Sequence, residues 1–207
     1  MKPQLLTGEL AHAWLKPRDP ACHKGACGHV LVIGGAPGYA GAVRLAGEAA
    51  LRTGAGLVSI ATHPAHAPCV TVGCSELMCH AVDEAASSLP ALIERASVVV
   101  IGPGLGQSAW SQAWLAVALK AASQKPLILD ADALNLLALQ AYSAQPTTIY
   151  TPHPGEAARL LSTSVQTVQS DRLQALHALT QRDEGVYVLK GAGTLIGQRG
   201  KSPYLCT

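Results

Sequence analysis

The sequence predicts an α/β fold, a three-layer αβα arrangement around a mostly parallel sheet, and three observations carry that prediction. Short β-branched apolar runs recur along the chain, as in Val30-Leu31-Val32-Ile33 and Val98-Val99-Val100-Ile101. Each ends at glycine or aspartate and gives way to an alanine- and leucine-rich stretch with helical spacing. The composition is 49% hydrophobic with no phenylalanine, which suits a sheet covered by alanine-rich helices better than an aromatic-stacked sandwich.

The first strand is His29 to Ile33, ended by Gly34-Gly35. The helix after it, Ala42 to Thr53, has a Glu48/Arg52 pair one turn apart and closes at Gly54-Ala55-Gly56, where glycine takes a left-handed cap. Leu57 to Ala61 is the next strand. The alternation continues with strand 96–101, helix 110–122, strand 126–129 and helix 133–140, then strand 148–150, helices 157–161 and 172–180, and strand 186–189. Thr194-Leu195-Ile196 is compatible with a return strand of a hairpin. Strands separated by helices pair in parallel, because a tight turn cannot bring a parallel neighbour alongside.

Size and charge narrow the functional classes. With 207 residues the chain fits one domain, and no repeat or linker marks a second. Fifteen basic and thirteen acidic residues are spread evenly, so no basic stripe is available to nucleic acid. Met1 to Pro20 has no apolar signal region and no run is long enough to span a membrane, so a cytoplasmic protein with reduced cysteines is expected. His63, His66, Cys69, Cys74, Cys79 and His80 crowd one stretch, but their spacing lacks paired C-x-x-C knuckles, and no metal ligand is assigned.

In a parallel sheet the ligand crevice lies beyond the carboxyl ends of the strands, and the chemically suggestive segments fall there. Gly34 to Gly41 follows the first strand and opens a helix, bringing bare backbone and a helix N-terminus to one place, although it lacks the Lys-Ser/Thr of a P-loop. Gly102, Gly104 and Gly106 follow another strand and again invite close approach, or a tight connector. Asp130 and Asp132 stand at a third strand end, where Asp132 is compatible with an ordinary N-cap and Asp130 with a base or a water-mediated Mg²⁺ contact. In Thr151-Pro152-His153-Pro154-Gly155-Glu156 two prolines stiffen a turn that opens a helix, holding an imidazole and a carboxylate at its start. Lys190-Gly191-Ala192-Gly193-Thr194 combines a cation, two glycines and a hydroxyl, suited to a nucleotide phosphate or to a plain hairpin.

Together these motifs resemble the ADP/ATP-dependent NAD(P)H-hydrate dehydratases of the ribokinase-like superfamily. The likeness rests on His23-Lys24-Gly25 through Gly28, Ala40-Gly41, Leu51 to Val58, Gly102 to Gly106, the DADALN run from Asp130, the PHPGE run from Pro152 and Val188 to Thr194. They occur in family order and span nearly the whole chain. The resemblance implies repair of (6S)-NADH-hydrate or (6S)-NADPH-hydrate, with ADP or ATP and Mg²⁺ spent to phosphorylate the hydrate's hydroxyl before phosphate leaves. It implies that Ala40, Gly102, Gly104, Gly106, Asp130 and His153 contact the hydrated dinucleotide and that Lys190, Gly191, Ala192, Gly193 and Thr194 hold the adenine nucleotide. Asn135 and Glu156 support them, and a homotetramer is the expected assembly.

The family's next segment, a glycine-rich turn followed by G-x-G-D, supplies an anion hole and the aspartate thought to act as base. Residues 1–207 reach Cys206-Thr207 without it. The resemblance therefore implies a single domain over 1–207 that is truncated, has no assignable catalytic base, is inactive alone and carries an uncovered apolar face. Two other readings remain compatible with the motifs: a kinase of a small alcohol such as a vitamin precursor or sugar, and a non-catalytic nucleotide-binding module.

Overall fold

The computed structural model describes residues 2–15, 17–83, 86–139 and 147–207. Its strands are β1 (Gln4–Leu5), β2 (His29–Ile33), β3 (Leu57–Thr62), β4 (Leu77–Ala81), β5 (Val98–Ile101), β6 (Leu127–Leu129), β7 (Thr148–Tyr150), β8 (Val186–Leu189), β9 (Thr194–Gln198) and β10 (Tyr204–Cys206). Its helices are α1 (Gly8–Trp14), α2 (Ala40–Arg52), α3 (Ala67–Val70), α4 (Leu89–Arg95), α5 (Ala109–Ala121), α6 (Ala131–Leu137), α7 (Pro154–Leu160), α8 (Val165–Ser170) and α9 (Arg172–Thr180). The chain forms two compact units, His23–Leu136 and a second made of Met1–Cys22 with Leu137–Thr207.

The unit His23–Leu136 is a parallel sheet in the order β6-β5-β2-β3-β4. Leu31, Val32 and Ile33 of β2 are all fully buried, as expected of a central parallel strand covered on both faces. On one face Val32, Val58, Ile60 and Leu77 pack against Val43 of α2 and Val70 of α3. The approach of α2 is close: a Cβ at Gly47 would lie 3.0 Å from both Ile60 Cδ1 and Leu77 Cδ2, so only glycine fits there without displacement. The alternate residues Leu31, Ile33, Val99 and Ile101 form the other face, where α4 packs on β2 and α5 on α4, burying Leu89, Ile93, Trp114 and Leu115. Gly54 takes φ +109° after α2, the left-handed cap that the sequence predicts.

In the other unit the order is β1-β10-β9-β8-β7, with β7 parallel to β8, β9 antiparallel to both β8 and β10, and β1 parallel to β10. The segment from Thr194 is thus the return strand of a hairpin. Tyr187, Leu189 and Leu195 are buried on the face where α9 lies, and a Cβ at Gly197 would come within 2.9 Å of Leu176 Cδ2. The opposite face carries Val186, Val188, Ile196 and Tyr204 only half-buried, with Trp14 of α1 meeting Tyr204 edge-on at 5.7 Å.

Several elements depart from the sequence reading. Strand β4 reads Leu-Met-Cys-His-Ala, with no β-branched residue, and forms an edge of its sheet by pairing with β3, so its signal is tertiary. The short helices α1, α3, α4 and α8 span too few turns to show a period. The helix expected over 133–140 is Ala131–Leu137, and Gln140 lies outside the described residues. Among the described residues no helix is long and apolar enough to cross a membrane.

Candidate functional site

Three loops converge in the unit His23–Leu136, and glycine is what lets them do so. Gly35 N–H donates to Pro103 O at 3.1 Å and Ala36 N–H to Gly104 O at 2.7 Å, pinning the turn after β2 to the turn after β5. A Cβ at Gly34 would stand 2.2 Å from Pro103 O, one at Gly102 would stand 1.8 Å from Asp130 O, and one at Gly104 would stand 2.7 Å from Tyr39 Cβ. Gly102 (φ +125°), Gly104 (φ +58°) and Gly106 (φ +73°) also occupy the left-handed half of φ space. The chain itself fills the space that a side chain at Gly102 or Gly104 would need, as in the tight connector that the sequence left open. Gly38 and Gly41, flanking Ala40 at the start of α2, have no atom within 4 Å of an added Cβ, so open room lies there.

Side chains hold these loops in place. Asp132 is not an N-cap but sits in the first turn of α6, where its Oδ2 accepts from Gly106 N–H at 2.8 Å. Its Oδ1 accepts from Asn135 Nδ2 at 3.2 Å. Asp130 uses its backbone, donating N–H to Ile101 O and accepting from Ala133 N–H, each at 3.1 Å. Between the two carboxylates Ala131 is held at φ 48°, an uncommon conformation for a residue with a Cβ and of the kind that functional turns retain. His66, which the sequence placed only in a stretch crowded with histidine and cysteine, reaches these loops: its Nε2 accepts from Gly38 N–H at 3.2 Å and lies 3.1 Å from Ala36 O.

His63 and Cys69, drawn together with His66 by the sequence, are engaged locally. His63 Nδ1 accepts from Ala65 N–H, and Cys69 Sγ donates to His66 O. Among the described residues no three His, Cys, Asp or Glu side chains are grouped to hold a metal ion. A separate polar cluster escaped the sequence reading. Ser59 Oγ lies 2.9 Å from His29 Nε2 and 3.2 Å from His80 Nε2, and burial lowers both imidazole pKa values, with the nearby Arg95 charge acting in the same direction.

The second unit holds the PHPGE turn and the Lys190 turn. Pro154 opens α7, as predicted, and His153 and Glu156 form its capping box. His153 Nδ1 accepts from Gly155 N–H at 2.9 Å, while Nε2 lies 3.1 Å from Glu156 Oε1, so both ring nitrogens are taken by the chain. Glu156 is 4% exposed. Its Oε2 accepts from His153 N–H at 2.8 Å and lies 4.0 Å from Lys190 Nζ, so one buried carboxylate meets both His153 and Lys190. Lys190 N–H in turn donates to Pro152 O at 2.9 Å.

Beyond Lys190 the backbone is arranged asymmetrically. Gly191 O accepts from Thr194 Oγ1 at 3.2 Å, whereas no acceptor among the described residues meets the N–H of Gly191, Ala192 or Gly193. Successive unpaired N–H groups in a turn with glycine at φ +71° form an anion-accepting nest.

Comparison with known proteins fits this arrangement. Residues 30–207 match the Carb_kinase family, described as NAD(P)H-hydrate dehydratase. The bifunctional NAD(P)H-hydrate repair enzyme Nnr of Coxiella burnetii is 52% identical over 192 residues, covering 93% of this chain and 38% of its own length. The chain thus spans about two fifths of that curated relative. Among solved structures, a ribokinase-like superfamily protein of Enterococcus faecalis superposes with a TM-score of 0.88 at 28% identity, covering 99% of this chain and 71% of that one. The ADP/ATP-dependent NAD(P)H-hydrate dehydratase of Bacillus subtilis, co-crystallized with ATP/Mg²⁺, gives 0.87 at 32% identity, covering 100% of this chain and 73% of that one. Matched in sequence over most of its length and in fold over all of it, this mostly parallel α/β chain belongs to the NAD(P)H-hydrate dehydratase family of ribokinase-like proteins.

Proposed function

We propose that the chain acts in nucleotide-dependent dehydration of the (6S)-hydrates of NADH and NADPH, as a cytoplasmic repair lyase. The observation that carries this reading is the run of three N–H groups, at Gly191, Ala192 and Gly193 directly after Lys190, that no acceptor among the described residues meets. A nest beside an ammonium fits the phosphates of ADP or ATP, with Thr194 closing the turn. The nucleotide supplies the phosphoryl group that turns the hydrate's hydroxyl into a leaving group. Mg²⁺ enters this reading as an ion carried on the nucleotide's phosphates.

The dinucleotide reading rests on the open start of α2. Ala40 has open room beside it at Gly38 and Gly41, while Gly102, Gly104, Gly106 and Asp130 shape the loops behind it and Asn135 steadies Asp132. His153 contributes an exposed ring whose nitrogens are both occupied, so it contacts the substrate through its face or carbon edge and does not serve as a base. Positioning and preorganised donors are then the main contributions of these residues. No G-x-G-D occurs in residues 1–207, and none of the residues named here takes the proton. Assembly as a homotetramer belongs to the same proposal.

The test is recovery of absorbance at the reduced-nicotinamide band from hydrated NADH or NADPH with Mg²⁺ and ADP or ATP. It is run on the chain and on a form extended through a family G-x-G-D segment. Recovery in the extended form supports the reading. Its absence there, with nucleotide bound and a stable phosphorylated small alcohol formed instead, would replace the lyase by a kinase.

A further inference from the structure

We infer that Arg172, the first residue of α9, is a positioning residue for the nucleotide phosphates: its guanidinium gathers the carbonyl groups of the 189–192 turn and leaves the turn's N–H groups for an anion. The inference rests on the nucleotide reading of that turn. Arg172 Nη1 donates to Ala192 O at 2.6 Å, and Nη2 donates to Leu189 O at 3.1 Å and Lys190 O at 3.3 Å. With Gly191 O taken by the Thr194 hydroxyl, the carbonyls of four consecutive residues all have donors. The peptide planes are thereby fixed, and the N–H groups of Gly191, Ala192 and Gly193 are the ones left without acceptors among the described residues.

Two further observations set this arginine apart from an ordinary surface residue. A Cβ at Gly191 would lie 2.8 Å from Arg172 Nη2, so glycine at this position makes room for the guanidinium, not for a ligand. Arg172 also has no carboxylate partner among the described residues, and its Nε is buried without an acceptor. A guanidinium held in this way is an uncompensated positive charge behind a nest, where it strengthens the attraction for phosphate oxygens. Lysine retains the charge but lacks the planar fork that reaches three carbonyls at once.

The experiment compares Arg172→Met and Arg172→Lys with the parent chain by calorimetric titration of ADP and of adenosine. Amide hydrogen exchange over residues 190–195 is followed without ligand. For Arg172→Met we expect ADP affinity to fall roughly ten- to a hundredfold, adenosine affinity to stay unchanged, and exchange in the turn to accelerate. Arg172→Lys should fall between Met and Arg while keeping the parent melting temperature, which covers the case in which the methionine variant does not fold. Unchanged ADP affinity in Arg172→Lys, or equal losses for ADP and adenosine, would overturn the inference and leave the nucleotide reading standing. A parent chain that binds neither ADP nor ATP would overturn that reading and this inference with it.

Discussion

Replacing Glu156 by alanine tests the most economical contact set in the Lys190 unit. The carboxylate is 4% exposed and accepts from His153 N–H at 2.8 Å, closing the capping box of α7, while its other oxygen meets the His153 ring at 3.1 Å. The ion-pair share is small, because the His153 and Lys190 side chains are 52% and 41% exposed and solvent screens them. The charge-assisted hydrogen bond and the half-buried N–H left unpaired dominate, so Glu156→Ala should cost about 2–3 kcal/mol. For a chain of this size that lowers the melting temperature by about 5–10 °C. Glu156→Gln keeps an oxygen for the same N–H and should cost about 1 kcal/mol. Thermal unfolding followed by circular dichroism reads both. If alanine shifts the midpoint by no more than glutamine does, the capping box does not hold α7 and the reasoning is wrong.

Gly102→Ala should destabilise by about 3–5 kcal/mol in chemical denaturation, since the new methyl meets Asp130 O at 1.8 Å in a φ +125° backbone. Gly41→Ala has open space and should instead stabilise α2 by about 0.5–1 kcal/mol while weakening hydrated-dinucleotide binding, and unchanged binding would remove Gly41 from the site. Asp183, 6% exposed, accepts from the Tyr150 and Tyr187 hydroxyls and from Gly185 N–H; alanine there should cost about 3–6 kcal/mol by thermal unfolding. Burial, then the Asp183 charge, raises the Tyr187 pKa, so its ionisation in an ultraviolet titration should come after that of an ordinary tyrosine and move down in Asp183→Asn. His29 and His80 have folded pKa values below the usual 6.5, so the unfolded chain binds more protons. Their contribution is present above 6.5 and is lost as pH falls below it; the denaturation midpoint should drop between about pH 7 and about pH 5, and flatten in a His29→Gln/His80→Gln double variant.

The legible parts of the fold were those with strong local signals. Strand β2 announces itself because Leu31, Val32 and Ile33 are buried on both faces, leaving an unbroken apolar run. The start of α7 is equally plain, since Pro154 and Glu156 satisfy helix-start chemistry within one turn. Strand β4 was illegible because Met78, Cys79 and His80 become a strand only through pairing with β3. For the site, the sequence points to Lys190 to Thr194, but Arg172 lies eighteen residues away from Lys190, and only the folded turn shows that it holds the carbonyls.

The sequence by itself determined the alternation of strands and helices, the loops that carry glycine, and the family to which those loops belong, because each is written in residues close together along the chain. Only the tertiary structure decided what the glycines are for. Gly102, Gly104 and Gly191 make room for Asp130 O, Tyr39 and Arg172, whereas Gly41 faces open space. It also decided that His153 spends both ring nitrogens on its own helix cap and that Asp132, not Asp130, takes the Gly106 N–H. The physical reason is that steric room and hydrogen-bond saturation depend on which atoms meet across the fold, and spacing along the chain does not record those meetings.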